Sequence, residues 1–153
     1  MIRLAIDAMG GDFGPEPIIE GLTQALDEKE FHPILVGDKN LLLSLIPPYY
    51  LDSIEIEHAD DVISMHDSAV DALKRKESSI YKAVELVREG KADGVVSAGH
   101  SGATMTLATL RIGRLPHISK PGLATLMPSL GVKKTLVLDI GAVVECKPQN
   151  LYE

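Results

Sequence analysis

Apolar positions along the chain fall into two textures: short continuous runs, and longer stretches in which they recur every three or four residues. The first texture predicts buried strands and the second amphipathic helices. Residues 2–6 form the first strand, closed by the polar Asp7 and the loop Ala8-Met-Gly-Gly-Asp-Phe-Gly14. Pro15 and Pro17 mark a helix start, where a missing N–H costs nothing, and Ile18, Ile19, Leu22, Ala25 and Leu26 supply its stripe. Residues 33–37 predict a second strand, and 39–46 a short helix ended by Pro47-Pro48. The alternation at 54–57 predicts a third strand, which runs into an acidic loop at Asp60-Asp61.

Residues 68–75 read as a short helix, and Ser78 or Ser79 as the cap of the next, with Ala83, Val84 and Val87 buried and Gly90 at its C-terminal end. Residues 94–97 predict another strand, 99–102 its loop, and 103–112 a helix stopped by Gly113. Two further buried strands are expected at 123–127 and 135–138, the second ending at Asp139-Ile-Gly141. Strands separated by helices of about ten residues imply crossover connections, hence an α/β fold with a mostly parallel sheet. The closing residues 147–153 read as a helix entrance, so the chain looks truncated.

Charge sharpens this picture. The net charge is −7, yet between Gly94 and Val144 five bases (Arg111, Arg114, Lys120, Lys133, Lys134) face the single acid Asp139, a local +4 that leaves −11 on the rest. An acidic chain is a poor general nucleic-acid binder. A basic, glycine-bearing stretch within it suits a small anion or an acidic partner; strands that merely carry few acids are the blander account. A single cysteine, Cys146, excludes an intrachain disulfide and a cysteine-based zinc site; one placed just after a buried strand is expected to be a small core residue. No apolar run approaches a membrane span and no signal peptide is evident, so the cytosol is the expected compartment.

Three strand ends share one design, in which an apolar strand gives way to one polar residue, glycines and a helix. They are Asp7 with Gly10, Gly11 and Gly14; Ser97 with Gly99 and Gly102; and Asp139 with Gly141. Loops at the carboxyl ends of parallel strands emerge on one edge, where ligands bind. Glycine permits close backbone approach, and amides at a helix start favour an anion. Phosphate is the expected guest, although no dinucleotide fingerprint or Walker motif occurs. Asp7 and Asp12 are expected to order their loop. Gly99-His-Ser-Gly-Ala103 also nearly matches a nucleophile elbow, which would make Ser101 the nucleophile of an esterase, but no histidine follows Asp139. His100 and Ser101 are the expected hydrogen-bond donors to an anion or oxyanion. The acidic stretch with Glu57, His58, Asp60, Asp61, His66 and Asp67 lacks a recognisable metal-ligand spacing, so no metal is expected.

The stretches 6–15, 72–79, 94–103, Lys120-Pro121, 138–142 and 146–148 are collinear and resemble the phosphate acyltransferases of bacterial phospholipid synthesis (PlsX). The resemblance covers the whole chain, at about half the usual family length. It implies a three-layer αβα Rossmann-like fold, related to phosphate acetyltransferase and isocitrate dehydrogenase-like folds. Residues 1–153 would be the N-terminal part of one acyltransferase domain. It further implies acyl transfer from acyl carrier protein to inorganic phosphate, giving acyl phosphate for a membrane acyltransferase, by a cytoplasmic homodimer loosely attached at the inner membrane surface and needing no cofactor. Arg111, Arg114 and Lys120 are then expected to steer the acidic carrier protein. His100, Ser101, Lys120 and Glu145 stand where the family often has Asn, Thr, Arg and Asp, all polar. Val143 stands where it has asparagine, which leaves an inactive phosphate- or carrier-binding module as the alternative to a working enzyme.

Overall fold

The computed structural model describes residues 1–131, 133–141 and 145–153. The chain divides into two compact units, Met1–Ile112 and Gly113–Glu153.

In the first unit the expected strands form, within a residue or two of their predicted ends. They are β1 (Arg3–Asp7), β2 (His32–Gly37), β3 (Glu55–His58) and β4 (Gly94–Ser97). All pair in parallel, in the order β3-β2-β1-β4. Alternate residues of each strand face opposite ways, and the cores follow that alternation. Ile6 and Leu35 pack with Ile19 and Leu22 of α1 (Glu16–Glu28) and Leu42 of α2 (Lys39–Leu45). Ala5, Ile34 and Val36 pack on the other face with Ala83 and Leu86 of α3 (Ser79–Arg88). Ala103 and Leu107 of α4 (Ser101–Leu107) join Ile80 and Val84 of α3. Helices thus cover both faces of the sheet, the three-layer Rossmann-like arrangement.

The strand order has a functional consequence. From β1 the chain winds outward through β2 and β3, then returns to place β4 on the other side of β1. The carboxyl ends of β1 and β4 therefore flank a topological switch point, the place where open α/β sheets bind ligands.

Several local expectations change. Residues 68–75 form one 3-10 turn, Asp71–Leu73, within a longer loop. The chain leaves α2 at Pro47 and immediately starts a second 3-10 turn, Pro48–Ser53, since proline tolerates a first helical turn. Ser78 is the N-cap of α3, but its hydroxyl donates to the Arg75 carbonyl and caps nothing. The helix predicted over 103–112 starts earlier and finishes as a π turn, Ala108–Ile112. No helix among the described residues is long and apolar enough to cross a membrane.

The second unit overturns a larger expectation. Its strands, β5 (Ala124–Pro128) and β6 (Lys134–Leu138), pair antiparallel in a separate two-stranded ribbon and are exposed along most of their length. Five residues separate them, whereas a parallel crossover needs a dozen or more. Cys146, expected in a core, is exposed. The terminal helix α5 (Pro148–Tyr152) does form.

Candidate functional site

Asp7 and Ser97 are register partners at the carboxyl ends of β1 and β4. Asp7 is 98% buried, leaving 2% exposed, and its carboxylate is fully occupied. Oδ1 accepts the amides of Met9 (3.3 Å) and Gly10 (3.2 Å), and Oδ2 accepts the Ser97 hydroxyl at 2.8 Å. The Ser97 oxygen in turn accepts the Gly99 amide at 3.1 Å. One buried carboxylate and one hydroxyl thereby fold both glycine loops over the strand ends. A buried charge is tolerable only when hydrogen-bonded in this way.

The loops then meet backbone to backbone. A Cβ on Gly10 would stand 2.5 Å from Asp7 Oδ2 and 2.9 Å from the Gly99 Cα, and one on Gly99 would stand 3.0 Å from the Gly10 Cα. Glycine at both positions is a requirement of this approach. Gly11 and Gly14 have φ of 109° and 74°, the region where an L side chain is strained.

His100 is the N-cap of α4. Its Nε2 lies 3.0 Å from the Asp67 carbonyl oxygen, which can only accept, so Nε2 carries the proton. Nδ1 is then bare and accepts the Ala103 amide at 3.2 Å. Both ring nitrogens are committed, so in this arrangement His100 orients the loop and the exposed Ser101 is the neighbouring group that presents a hydroxyl. The elbow geometry of strand, turn and helix is present, yet no imidazole among the described residues is bonded to Ser101 Oγ, as nucleophilic catalysis by serine requires.

The anion-holding amides expected of these loops divide into two sets. Those of Gly10 and Gly99 point inward to Asp7 and Ser97. Those of Ser101 and Gly102 begin α4, where the first turn has no intrahelical acceptor. Gly102 also sits tightly, since a Cβ there would meet His100 Cε1 at 3.0 Å and Ala69 Cβ at 3.4 Å.

The third glycine loop belongs to the second unit and follows β6 of the antiparallel ribbon, so the shared-edge argument does not reach it. Asp139 there adopts φ 57° and Gly141 φ 98°. Val143 lies outside the described residues. The basic residues are also less free than the sequence suggests. Arg111 makes a two-pronged pair with Glu85 (2.7 and 3.0 Å) and lies over the Tyr81 ring, which holds Glu85 below its ordinary range. Arg114 donates to the Ser119 carbonyl and Lys120 to the Glu145 carbonyl, so both keep their charge unneutralised by those contacts.

Sequence reasoning missed Arg75. Its guanidinium binds both Asp61 and Asp67 of the acidic loop, and through Asp67 it reaches His100. The signal was the basic triplet Lys74-Arg75-Lys76 following an acidic run. Among the described residues no group of three or more His, Cys, Asp or Glu is arranged to hold a metal ion.

Comparison with known proteins agrees along the whole chain. The family described as "Fatty acid synthesis protein" matches residues 2–153. A phosphate acyltransferase of a Sulfurovum species is 76% identical over 153 residues, covering 100% of this chain and 46% of that protein. Proteins of the same name from a Nitratiruptor species and from Sulfurimonas denitrificans are 66% and 61% identical, over the same shares of each chain. The chain thus spans about half the length of these relatives, and it belongs to the phosphate acyltransferase family of fatty acid and phospholipid synthesis.

Proposed function

We propose that the protein transfers an acyl group from the thioester of acyl carrier protein to inorganic phosphate, forming acyl phosphate for phospholipid synthesis. The observation that carries this reading is the pair of interlocked glycine loops at the β1–β4 switch point, held by Asp7 and Ser97 and continuing into the first turn of α4. Relatives named for the same transfer class support it.

Phosphate is accommodated against Gly11, Gly14 and the α4 amides, with Gly10 and Gly99 giving the backbone its close approach. A phosphate oxygen attacks the thioester carbonyl carbon, forming the C–O bond of the mixed anhydride. The Ser101 hydroxyl and the Ser101 and Gly102 amides are the donors for the oxyanion of the tetrahedral intermediate. Collapse breaks the C–S bond, and the proton of hydrogen phosphate passes to the departing pantetheine thiolate. A thiolate is a fair leaving group, so positioning supplies most of the acceleration, and His100 contributes by orienting the loop.

Arg114 and Lys120 steer the acidic carrier protein, with Arg111 contributing less because Glu85 neutralises it. Such steering predicts association that weakens with salt. The same reading makes the full-length enzyme a cytosolic homodimer, peripheral at the membrane, whose product feeds a membrane acyltransferase. The test is hydroxylamine trapping of acyl phosphate from acyl carrier protein thioester and phosphate. Hydroxamate that appears only with phosphate, and falls at least about tenfold in Ser101→Ala, is the expected result. Product independent of phosphate, or fluorophosphonate labelling of Ser101, overturns the reading in favour of an esterase. Phosphate-dependent thermal stabilisation without turnover overturns it in favour of a binding module.

A further inference from the structure

The loop between β3 and α3 carries Asp61, Asp67 and the 3-10 turn at Asp71–Leu73; Ile63 and Ala72 pin it to the core against α3 and α4, and Asp61 bridges to Ser78. Between those anchors one side chain ties its two acidic residues together. Arg75 Nε donates to Asp61 Oδ2 at 2.7 Å, Nη1 to Asp67 Oδ2 at 2.8 Å, and Nη2 to the Val62 carbonyl at 2.8 Å and to Asp61 Oδ1. A planar guanidinium is suited to such a fork, and an ammonium is not. The Asp67 carboxylate also accepts the Ser64 amide at 2.7 Å, closing a tight turn. Asp61 is anchored to the start of α3, accepting the Ser79 amide on its carbonyl at 2.9 Å.

What this clamp fixes is the direction of one carbonyl. The Asp67 C=O accepts the Nε2 proton of His100 at 3.0 Å. That bond selects the imidazole tautomer with a bare Nδ1, and only a bare Nδ1 can accept the Ala103 amide. Ala69 of the same loop lies beside Gly102. The 61–75 loop and the 99–102 loop are therefore joined by a hydrogen-bonded relay running from Arg75 through Asp67 to His100 and the start of α4.

We propose that Arg75 is a positioning residue for phosphate, acting through Asp67 and His100 to hold the α4 amides and Ser101 in their productive orientation. The proposal rests on the reading of the glycine loops as the phosphate site. It predicts that loss of the clamp acts on phosphate use and spares use of the acyl donor, because displacing a bound reactant by a fraction of a bond length is costly while its partner's docking is untouched.

The experiment compares Arg75→Ala and Asp67→Asn with wild type in the full-length protein. It reads the KM for each substrate, kcat, and the 15N resonances of the His100 ring. Asp67→Asn keeps an acceptor for the Ser64 amide and leaves the Arg75–Asp61 pair intact, so it decides the matter should Arg75→Ala fail to fold. The expected result is a fall of about ten- to a hundredfold in kcat/KM for phosphate in Arg75→Ala. The fall is smaller in Asp67→Asn, the KM for acyl carrier protein thioester stays within about twofold, and His100 changes from one tautomer to a mixture. Added guanidinium restores activity to Arg75→Ala, and Arg75→Lys does not. An unchanged single tautomer in both variants overturns the relay whatever the kinetics. A mixed tautomer with unchanged phosphate kinetics overturns the role of Arg75 in phosphate positioning, whereas loss of the glycine-loop phosphate site itself would show in the hydroxylamine test as product independent of phosphate.

Discussion

The strands of the two units are made of similar apolar material and end in opposite surroundings. In the first unit Ala5, Ile34, Leu35 and Val36 lie at 0–3% exposure between layers of helix. In the second, Leu126, Leu136 and Leu138 stand 59%, 58% and 68% exposed on a two-stranded ribbon. Every buried hydrophobic residue among those described falls between Ala5 and Leu107. Composition determines what a strand is able to bury, and the elements packed on it determine whether it does. β1 and β2 are joined through the thirteen-residue α1, which covers them; β5 and β6 are joined by five residues that cover nothing. A lone two-stranded ribbon is marginal in water.

The sharpest way to break this contrast is to truncate one leucine in each unit. Leu35 is fully buried, so Leu35→Ala removes transfer energy and leaves a cavity, an expected loss of about 2–5 kcal/mol in urea unfolding. In the 153-residue chain Leu136→Ala touches a side chain that is 58% exposed and should change stability by no more than about 0.5 kcal/mol. Comparable losses at the two positions would erase the distinction. Amide exchange gives the same comparison by another route: β1 and β2 amides should exchange orders of magnitude more slowly than those of β5 and β6.

A second pair of substitutions separates the glycine loops. Gly10→Ala places a methyl group on Asp7 Oδ2 and the Gly99 backbone, so strand ends must shift, at an expected cost of about 1–3 kcal/mol. It should also weaken phosphate use, measured as KM. Gly141→Ala meets nothing within 4 Å, but its φ of 98° disfavours a side chain, a smaller cost of about 1 kcal/mol. A Gly10→Ala protein with wild-type melting and wild-type phosphate KM would show that the backbone contact is dispensable.

The first unit was largely readable because its signals agree. The Asp7 and Ser97 strand ends, the proline-marked start of α1 and the C-terminal Gly90, at φ 71°, each favour the same local structure that packing then enforces. The ribbon was misread because apolar runs report burial capacity and carry no direction; the short link at 129–133 held that information and outweighs them. The site was half readable. Glycine spacing marks the two loops, but the fate of their amides depends on Asp7 and Ser97 side chains that only the strand register brings together. The Arg75 clamp was out of reach for a similar reason, since it joins residues fourteen and eight positions away through a loop with no periodic pattern.

Acid titration offers the mildest probe of the contrast, at the opposite end of the sheet from the glycine loops. Asp93 just before β4 takes the side chain and amide of Arg3 at the start of β1, and this pairing lowers its pKa to about 2. Asp61 is likewise lowered by Arg75, Asp67 by the Ser64 amide and then Arg75, and Glu85 by Arg111 and Arg88. A carboxylate whose folded pKa is depressed contributes stability above its unfolded pKa and loses it as pH falls toward the folded value. The first unit should therefore keep full stability above about pH 4–5 and weaken progressively below it, with the Asp93 share vanishing only near pH 2. In the second unit, among the described residues, Glu153 is lowered by the Ser119 hydroxyl and amide. Carboxyl NMR titration separates the contributions: Arg3→Ala should return Asp93 toward the ordinary carboxylate pKa and leave Asp61 unmoved. A shared shift of both would mean that the two ends of the sheet are coupled, and that the strand-end pairings are not the local devices their geometry makes them.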